Sequence, residues 1–423
     1  YAFFPSVSAA WRISEENFWQ PLKGWWNDMK IRGSYGSLGN QVMDDLGNFP
    51  YLATYGTNSS YNYLINGSKP VIVKAPGLVA PDFTWETVTQ MDFGFDASFL
   101  NNRLTGTFDW YRRNTKDMLV AGATLPATLG ASVPKSNSAD MKTIGWELSL
   151  GWNDRLENGF SYWVKGVLSD YQATITKYAG NDAGFYSQSD GDGKYYVGQK
   201  IGEIWGYHSN GLFQSDDEAA TIDQSELYAG KWGAGDVKYE DLDNDGKITK
   251  GEETIYNPGD KSIIGNKTPR YQFGITVGFD YKNFDFEMFW QGTGKRDYML
   301  SGAQFWGFTS QWDVPYTPAL DYWTETNTDA YFPRPGWQNG GNRVTSDRYL
   351  QSAAYGRLKN LTVGYTIPKN LTTKWGISRL RLYVTGENLL TITPLNDAFD
   401  PETLGGMTYP INRKVAIGLN LTL

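Results

Sequence analysis

Apolar and polar side chains alternate one by one along much of this chain, which is the pattern of β-strands with two different faces. Between Trp85 and Phe99, the odd-numbered positions are mostly large and apolar, and the even-numbered positions are mostly polar or charged. Similar alternation recurs in segments of about 9 to 14 residues, long enough to cross a bilayer as tilted strands. The pattern predicts eleven strands, over residues 3–13, 29–37, 85–99, 103–113, 142–154, 159–173, 269–281, 283–291, 353–367, 378–388 and 412–423.

The alternation also predicts which medium each face of the strands meets. We expect large apolar side chains to face lipid, as at Phe93, Phe95, Trp146, Phe273, Phe284 and Ile417. The polar side chains should face a wet lumen, as at Asp92, Glu147, Thr276, Asp285 and Asn420. A slip of one residue would move every charge into the bilayer, so the register is strongly specified.

The connections between these strands alternate between short and long. The short ones are 14–28, 101–102, 155–158, 282–283 and 368–377, and the long ones are 38–84, 114–141, 174–268, 292–352 and 389–411. A soluble antiparallel sandwich also shows alternating strands, but its connections are not segregated by length in this way. Short turns on one rim and long loops on the other are typical of outer-membrane barrels. The predicted fold is therefore all-β, a transmembrane antiparallel β-barrel with long extracellular loops.

The number and direction of the strands suggest part of a barrel. If the last strand, 412–423, ends on the rim of short turns, it runs from the long loops toward that rim. Because eleven is an odd number, the first strand, 3–13, then runs in the same direction. Bacterial single-chain barrels have an even number of strands and begin with one that runs the opposite way. We therefore expect an upstream portion that pairs with both outer strands, since unpaired strand edges in hydrocarbon are costly.

Composition supports the barrel and removes several kinds of chemistry. Aromatic residues make up 16% of the chain, yet the mean hydropathy is −0.49, as expected for apolar girdles around a polar interior. There is no cysteine and a single histidine, His208, which excludes thiolate chemistry and sites with two histidine ligands. We expect His208 to form hydrogen bonds within a loop, and we predict no enzymatic activity. The net charge of −8 without a polybasic tract argues against nucleic acid as a partner.

Several segments resemble the SusC-like (RagA-like) TonB-dependent outer-membrane transporters of Bacteroidetes. The resemblance runs nearly end to end and includes 4–16 (FPSVSAAWRISEE), 30–41 (KIRGSYGSLGNQ), 101–111 (NNRLTGTFDWY), 235–246 (GDVKYEDLDNDG), 358–368 (LKNLTVGYTIP) and 386–390 (GENLL). It implies a bacterial outer-membrane protein whose 1–423 region is the C-terminal half of a 22-stranded barrel.

The resemblance also implies partners and a function. In that family an N-terminal plug, absent from this sequence, fills the lumen and couples to the TonB complex, and a SusD-like surface lipoprotein caps the mouth. The implied function is import of an oligosaccharide or oligopeptide. Two alternatives remain open: a passive or structural barrel without energy coupling, and a secreted soluble β protein that binds or hydrolyses glycans.

Residues 241–252, within the 174–268 loop, have the spacing of a twelve-residue calcium loop. Acidic oxygens stand at its first, third, fifth and twelfth positions, glycine at its sixth, and a backbone carbonyl and a hydroxyl at its seventh and ninth. The predicted ligands to calcium are Asp241, Asp243, Asp245, the Lys247 carbonyl, Thr249 and Glu252. The alternative is a solvated loop rich in Asx turns.

The 292–352 loop is rich in aromatic residues, which can stack on sugar rings or pack against a partner protein. The candidates for substrate or lipoprotein contact are Phe305, Trp306, Trp312, Tyr316, Tyr322, Trp323 and Trp337. The alternative is that these rings pack against one another inside the loop.

Overall fold

The fold is that of a computed structural model. It describes residues 2–41, 51–58, 64–65, 67–74, 76–81, 83–121, 126, 128, 130, 133–179, 181, 184, 195–404 and 409–423. Parts of the predicted long connections 38–84, 114–141, 174–268 and 389–411 lie outside the described residues.

Eleven antiparallel strands form one sheet in which every strand pairs with its neighbours in sequence. The strands are β1 (Ser6–Trp11), β2 (Trp26–Asn40), β3 (Glu86–Phe99), β4 (Leu104–Ala121), β5 (Lys135–Arg155), β6 (Ser161–Tyr178), β7 (Arg270–Tyr281), β8 (Phe284–Lys295), β9 (Tyr355–Thr366), β10 (Arg379–Ile392) and β11 (Lys414–Thr422). All eleven predicted strands are thereby confirmed.

The strands extend beyond their predicted limits mainly where they meet the long connections. β4 continues to Ala121, and β5 begins at Lys135 with the polar sequence Lys-Ser-Asn-Ser. Alternation is required only where the two faces of a strand meet different media, and these polar ends lack it. The alternation therefore marked the central part of these strands and missed their ends.

The short connections contain tight turns and short helices. Lys282 adopts a positive φ of 56° in the two-residue turn between β7 and β8, as hairpin turns require. The first and last short connections hold 3₁₀ helices at Ile13–Glu15, Asn17–Leu22 and Thr373–Trp375, and an α-helix at Lys369–Thr372. None of the helices in the described part of the chain is long and apolar enough to cross a membrane.

The strand register places the predicted lipid-facing and lumen-facing residues on opposite faces of the sheet. Phe93 pairs with Trp110, which pairs on its other side with Trp146. Asp92 pairs with Tyr111 on the opposite face. Ion pairs cross the strands on the polar face. The Arg32 guanidinium contacts Asp109 and Asp96, and the Arg381 Nε lies 2.9 Å from Asp285 Oδ1.

The sheet is open in the described part of the chain. β1 pairs only with β2, and β11 pairs only with β10. On both faces of the sheet, every side chain of β1 and nearly every side chain of β11 is exposed. Val7 is 67% exposed and Ile417 83% exposed. The expectation that these eleven strands do not close into a barrel by themselves is confirmed.

The main buried core lies in the long loops, beyond the end of the sheet. Four short antiparallel pairs build these loops: Gly56–Asn58 with Ile72–Lys74, Glu203–Tyr207 with Lys261–Asn266, Ser209–Leu212 with Val237–Tyr239, and Asp297–Met299 with Leu350–Ser352. Short helices occur at Asp216–Ala219, Ala303–Trp306, Thr317–Leu320 and Gly340–Arg343.

Candidate functional site

Three long loops, which lie within 174–268, 292–352 and 389–411, share one hydrophobic cluster with Ala353, which precedes β9; this cluster is here called the loop core. Its buried residues are Tyr207, Leu212, Val237, Tyr239, Ile248, Met299, Leu300, Phe305, Trp306, Phe332, Tyr349, Ala353, Leu395, Phe399 and Leu404. Segments far apart in sequence therefore fold as one unit above the rim of the sheet.

Hydrogen bonds between loops support this packing. The Tyr239 hydroxyl donates to the Gly341 carbonyl over 2.7 Å, and the Gln304 Nε2 donates to the Ala398 carbonyl over 2.9 Å. Burial raises the pKa of Tyr239 far above its ordinary value. The phenol is therefore protonated and remains a donor at neutral pH.

An ion pair between a buried carboxylate and a partly exposed guanidinium joins two of the loops. Asp236, whose side chain is 1% exposed, accepts two hydrogen bonds from Arg334 Nε and Nη2, at 2.9 and 2.6 Å. The Asn342 Nδ2 and the Gly233 N–H also donate to this carboxylate, at 2.8 and 2.9 Å. The carboxylate is thus both neutralised and fully hydrogen-bonded, as a buried charge requires.

A second ionic group ties the last loop to the sheet. Arg357 of β9 is 3% exposed, and its Nη2 lies 2.6 Å from Asp400 Oδ2. Its Nη1 lies 3.0 Å from Glu402 Oε1, and Lys359 Nζ lies 3.0 Å from the other oxygen of Glu402. The loops are therefore bound both to one another and to the eleven-stranded sheet.

The aromatic candidates divide into buried and exposed groups. Phe305 is 0% exposed and Trp306 9% exposed, both within the loop core, and Tyr322 and Trp323 pack against it. These rings stabilise the loops themselves, and Phe305 has no surface to offer a ligand. Three candidates keep exposed rings that a ligand or partner could reach: Trp312 (83%), Tyr316 (43%) and Trp337 (45%).

The predicted calcium loop is built around the carboxylate of Asp241. This carboxylate accepts N–H groups from Asn244, Asp245 and Gly246, at 2.7, 3.3 and 2.7 Å. Gly246 adopts a positive φ of 84°, the sharp turn expected at the sixth position. Ile248 is buried in the loop core and donates its N–H to the Asp223 carbonyl. The loop is therefore anchored on its apolar side.

The structure brings together two of the carboxylates predicted to bind calcium and places a third, Asp260, beside them. One oxygen each of Asp241, Asp243 and Asp260 lies within 4.8 Å of the others. Asp245 instead accepts the Lys247 N–H at 2.8 Å, and neither Asp245 nor Glu252 belongs to this group. Thr249 donates its backbone N–H to Asp260, which is 1% exposed.

The pKa values of two members of this acidic group shift in opposite directions. Burial, and after it the Asp245 carboxylate, raise the pKa of Asp243. Burial acts in the same direction on Asp241, but the N–H donors of Gly246, Asn244 and Asp245 outweigh it and lower the pKa of Asp241. Carboxylate oxygens this close together repel unless a proton or a cation intervenes, and oxygen donors of this kind suit Ca²⁺.

His208 connects two loops through its imidazole. Its Nδ1 lies 2.7 Å from Asp347 Oδ2, and its Nε2 lies 2.7 Å from Ser262 Oγ. The order resembles a serine–histidine–aspartate row, but Ser262 sits inside the strand Lys261–Asn266, paired with Gly206. Acyl transfer at a serine also requires N–H donors aimed at the oxyanion that forms on the substrate carbonyl, so this row of three side chains does not by itself make a catalytic site. The prediction that His208 forms hydrogen bonds within a loop is confirmed.

Comparison with known proteins identifies one family. Residues 1–389 match the sequence model described as TonB dependent receptor-like, beta-barrel. TonB-dependent receptor P3 of Formosa agariphila is 30% identical over an alignment that covers 100% of this chain and 42% of that protein. TonB-dependent receptor SusC of Bacteroides thetaiotaomicron is 27% identical, with 99% and 40% covered. The chain thus spans about two fifths of the length of these relatives.

Solved structures with the same fold include the RagAB peptide importer in its open-open state. The TM-score is 0.76 at 22% identity, and the superposition covers 100% of this chain and 43% of that one. At this level of identity the likeness supports the β-barrel fold.

Proposed function

Because this chain belongs to the TonB-dependent receptor-like β-barrel family, we propose that it forms the C-terminal half of the barrel of an outer-membrane importer that is energised through TonB. The observation that supports this most is the two-faced sheet, in which ion pairs cross one face and aromatic side chains cover the other. Such a sheet separates a wet lumen from lipid. On this proposal the apolar face meets outer-membrane lipid.

The open edges support a barrel completed by further strands. β1 and β11 each have one side without a strand partner in the described part of the chain, which hydrocarbon would not tolerate. We infer that an N-terminal half, carrying the plug and the contact with the TonB complex, pairs with both edges to complete 22 strands.

The long loops are proposed to be extracellular and the short turns periplasmic. The exposed rings of Trp312, Tyr316 and Trp337 are the proposed contacts for a SusD-like lipoprotein or for the imported oligosaccharide or oligopeptide. A stable loop core below them would present these rings at fixed positions.

Uptake by whole cells tests this function. Labelled oligosaccharides and oligopeptides should accumulate in cells that carry the full-length protein and fail to accumulate after its gene is deleted. Uptake that requires the protein but survives loss of TonB would indicate a passive barrel. If no ligand of either class depends on the protein, the import function is wrong.

Arginine substitutions on β7 test which face meets lipid. Ile275 lies on the apolar face in the middle of the strand, and the neighbouring Thr276 lies on the polar face. We expect Ile275→Arg to lower the free energy of unfolding by roughly 2–4 kcal/mol, and the matched Thr276→Arg by much less. The measurement is reversible unfolding in lipid vesicles. Equal losses for the two variants would contradict the assigned faces.

We propose also that the Asp241–Glu252 loop binds calcium. The convergence of Asp241, Asp243 and Asp260 and the glycine turn at Gly246 support the proposal. An affinity in the range of about 10⁻⁴–10⁻³ M is typical of extracellular calcium modules. The bound ion would tie the chain around Asp241 to Asp260 and protect this loop from proteases.

Limited proteolysis tests calcium binding and its ligand set. Calcium should slow cleavage between residues 241 and 260, and a chelator should restore it. Asp243→Asn should abolish this protection. Asp245→Asn is the matched control. If Asp260 completes the site, this variant should keep most of the protection by calcium. If the ligands follow the twelve-residue spacing, it should lose as much protection as Asp243→Asn. If calcium does not change the cleavage of the parent protein, the loop is a turn that does not bind calcium.

A further inference from the structure

The apolar face of the sheet changes character abruptly along β4. Phe108 belongs to this face, since it pairs with Phe95 of β3. Every second residue of β4 from there toward the long loop lies on the same face, in the order Phe108, Trp110, Arg112, Asn114 and Lys116. The face is therefore aromatic as far as Trp110 and polar or cationic from Arg112 onward.

The strand partners of Arg112 place it at the edge of the apolar zone. Arg112 pairs with Met91 on one side and with Ile144 on the other. These two apolar side chains are 43% and 39% exposed, and Arg112 itself is exposed. In the next row toward the long loops, Asn114 pairs with Lys142. Arg112 thus lies in the last row that holds large apolar side chains, and Lys142 lies in the first polar row.

Arg112 and Lys142 are close enough to share one ligand. Ile144, the partner of Arg112, lies two positions from Lys142 on β5, so the two cations are diagonal neighbours on the same face. Diagonal neighbours on antiparallel strands are about 7–8 Å apart, within reach of long side chains. An anion between the two side chains could therefore contact both.

Neither cation is neutralised within the described part of the chain. Arg112 Nε donates to the uncharged Asn114 Oδ1 at 3.3 Å, and Lys142 forms no ion pair there. The carboxylate nearest to Lys142 in the sequence, Asp140, accepts the Asp117 N–H at 3.0 Å and pairs in register with Lys177. The two positive charges therefore remain available to a ligand from outside the sheet.

Arg270 provides a contrast on the same side of the sheet. Asp170 of β6 pairs with Trp146, in the row of Trp110. This carboxylate is 7% exposed and binds the Arg270 guanidinium through both of its oxygens. The charge of Arg270 is thus satisfied by the protein, whereas the charges of Arg112 and Lys142 are not.

We propose that Arg112 and Lys142 bind the phosphate of a lipid headgroup in the outer leaflet. The inference rests on the proposed function, which places this face in outer-membrane lipid and the long loops outside the cell. A guanidinium binds two phosphate oxygens at once, and an ammonium adds a second charge. Trp110 and Trp146 lie one row below, as aromatic side chains do at membrane interfaces.

The neighbouring apolar surface favours a lipid over a soluble anion. The side chains that flank Arg112 are exposed and apolar, and aromatic rings follow in the next row. Acyl chains attached to the bound phosphate would cover these side chains. A free phosphate ion would leave them exposed and would gain only the electrostatic part of the interaction.

The test compares two lipids with identical acyl chains. Native mass spectrometry of the full-length protein in detergent gives the dissociation constant for the first molecule bound of dioleoyl phosphatidic acid or dioleoyl phosphatidylcholine. The parent protein should prefer phosphatidic acid, whose phosphate is not masked by choline. Arg112→Gln with Lys142→Gln should weaken binding of phosphatidic acid about thirtyfold, and each single variant about fivefold, because each basic residue near anionic lipid contributes about 1 kcal/mol.

Arg113→Gln with Lys165→Gln is the matched control. Both residues are exposed, but they lie on the polar face, where Arg113 pairs with Gln90 and Lys165 with Thr276. This variant loses the same two charges and should bind phosphatidic acid within about twofold of the parent protein. Exchanging the two cations, Arg112→Lys with Lys142→Arg, should preserve most of the affinity. Unfolded protein is recognised by its higher charge states and does not enter the comparison.

Several outcomes would overturn the proposal. Equal affinity of the parent protein for the two lipids would do so, as would an equal loss of affinity in the control variant. Displacement of phosphatidic acid by an excess of inorganic phosphate would assign the two cations to a soluble anion. The import function is tested separately, by uptake. Uptake that continues in a protein without lipid preference would refute this inference alone, whereas a confirmed lipid site without uptake of any ligand would refute only the import function.

Discussion

Replacing Phe305 by alanine should unfold the loop core while leaving the eleven-stranded sheet intact. Phe305 is 0% exposed, and its ring centroid lies 5.1 Å from that of Phe332 and 6.2 Å from that of Phe399. Truncation of a buried phenylalanine leaves a cavity and typically costs about 3–5 kcal/mol. Hydrogen exchange should show lost protection in all three loops that share the core and unchanged protection in the strands.

Trp312→Ala is the matched control for Phe305→Ala. Both are aromatic residues of the same loop, but Trp312 is 83% exposed, so its loss should change the stability of the loop core by less than about 0.5 kcal/mol. If the two variants lose protection equally, the loops are not organised around Phe305.

Removing the guanidinium of Arg334 should be nearly as damaging, for an electrostatic reason. Arg334→Ala would leave the Asp236 carboxylate buried without its counter-charge, which typically costs about 3–5 kcal/mol. We expect increased proteolysis in both loops that the Asp236–Arg334 pair connects, around residues 233–239 and 332–343. The free energy of local opening, measured by hydrogen exchange, should fall accordingly.

A second substitution separates charge from packing. In Arg334→Ala with Asp236→Asn the buried charge is gone, so a substantial part of the lost stability should return. The exposed pair Lys231–Asp216, at 2.7 Å, provides a control, since Lys231→Ala should have little effect. A double variant as unstable as Arg334→Ala alone would mean that the guanidinium acts through packing.

The sheet could be predicted from sequence because a simple physical rule governs it. A strand between lipid and water must alternate apolar and polar residues, as Phe93 and Asp92 do. The alternation therefore shows which residues form strands and on which face of the sheet each side chain lies. Beyond the lipid zone that rule no longer holds. The ends of β4 and β5 pair with each other at Ala121 and Lys135, and they carried no alternating signal.

The candidate site was less accessible to sequence analysis because it depends on contacts between distant loops. Nothing local distinguishes Phe305, which is buried, from Trp312, which is exposed. Asp260 joins the acidic group from outside the twelve-residue spacing, so a search by spacing could not find it.

The shared loop core also constrains the order in which the protein folds. Hairpins such as β7–β8 join residues that are neighbours in sequence, whereas the Asn342–Asp236 hydrogen bond spans 106 positions and the Gln304–Ala398 bond spans 94. Contacts of such high order form late, because each requires a large loop to close first. Leu395, Phe399 and Leu404 follow β10 in the chain, so the core cannot be completed until ten strands have been made. A mutation that delays the last hairpin should therefore leave loop-core residues exposed that lie much earlier in the sequence, such as Tyr239.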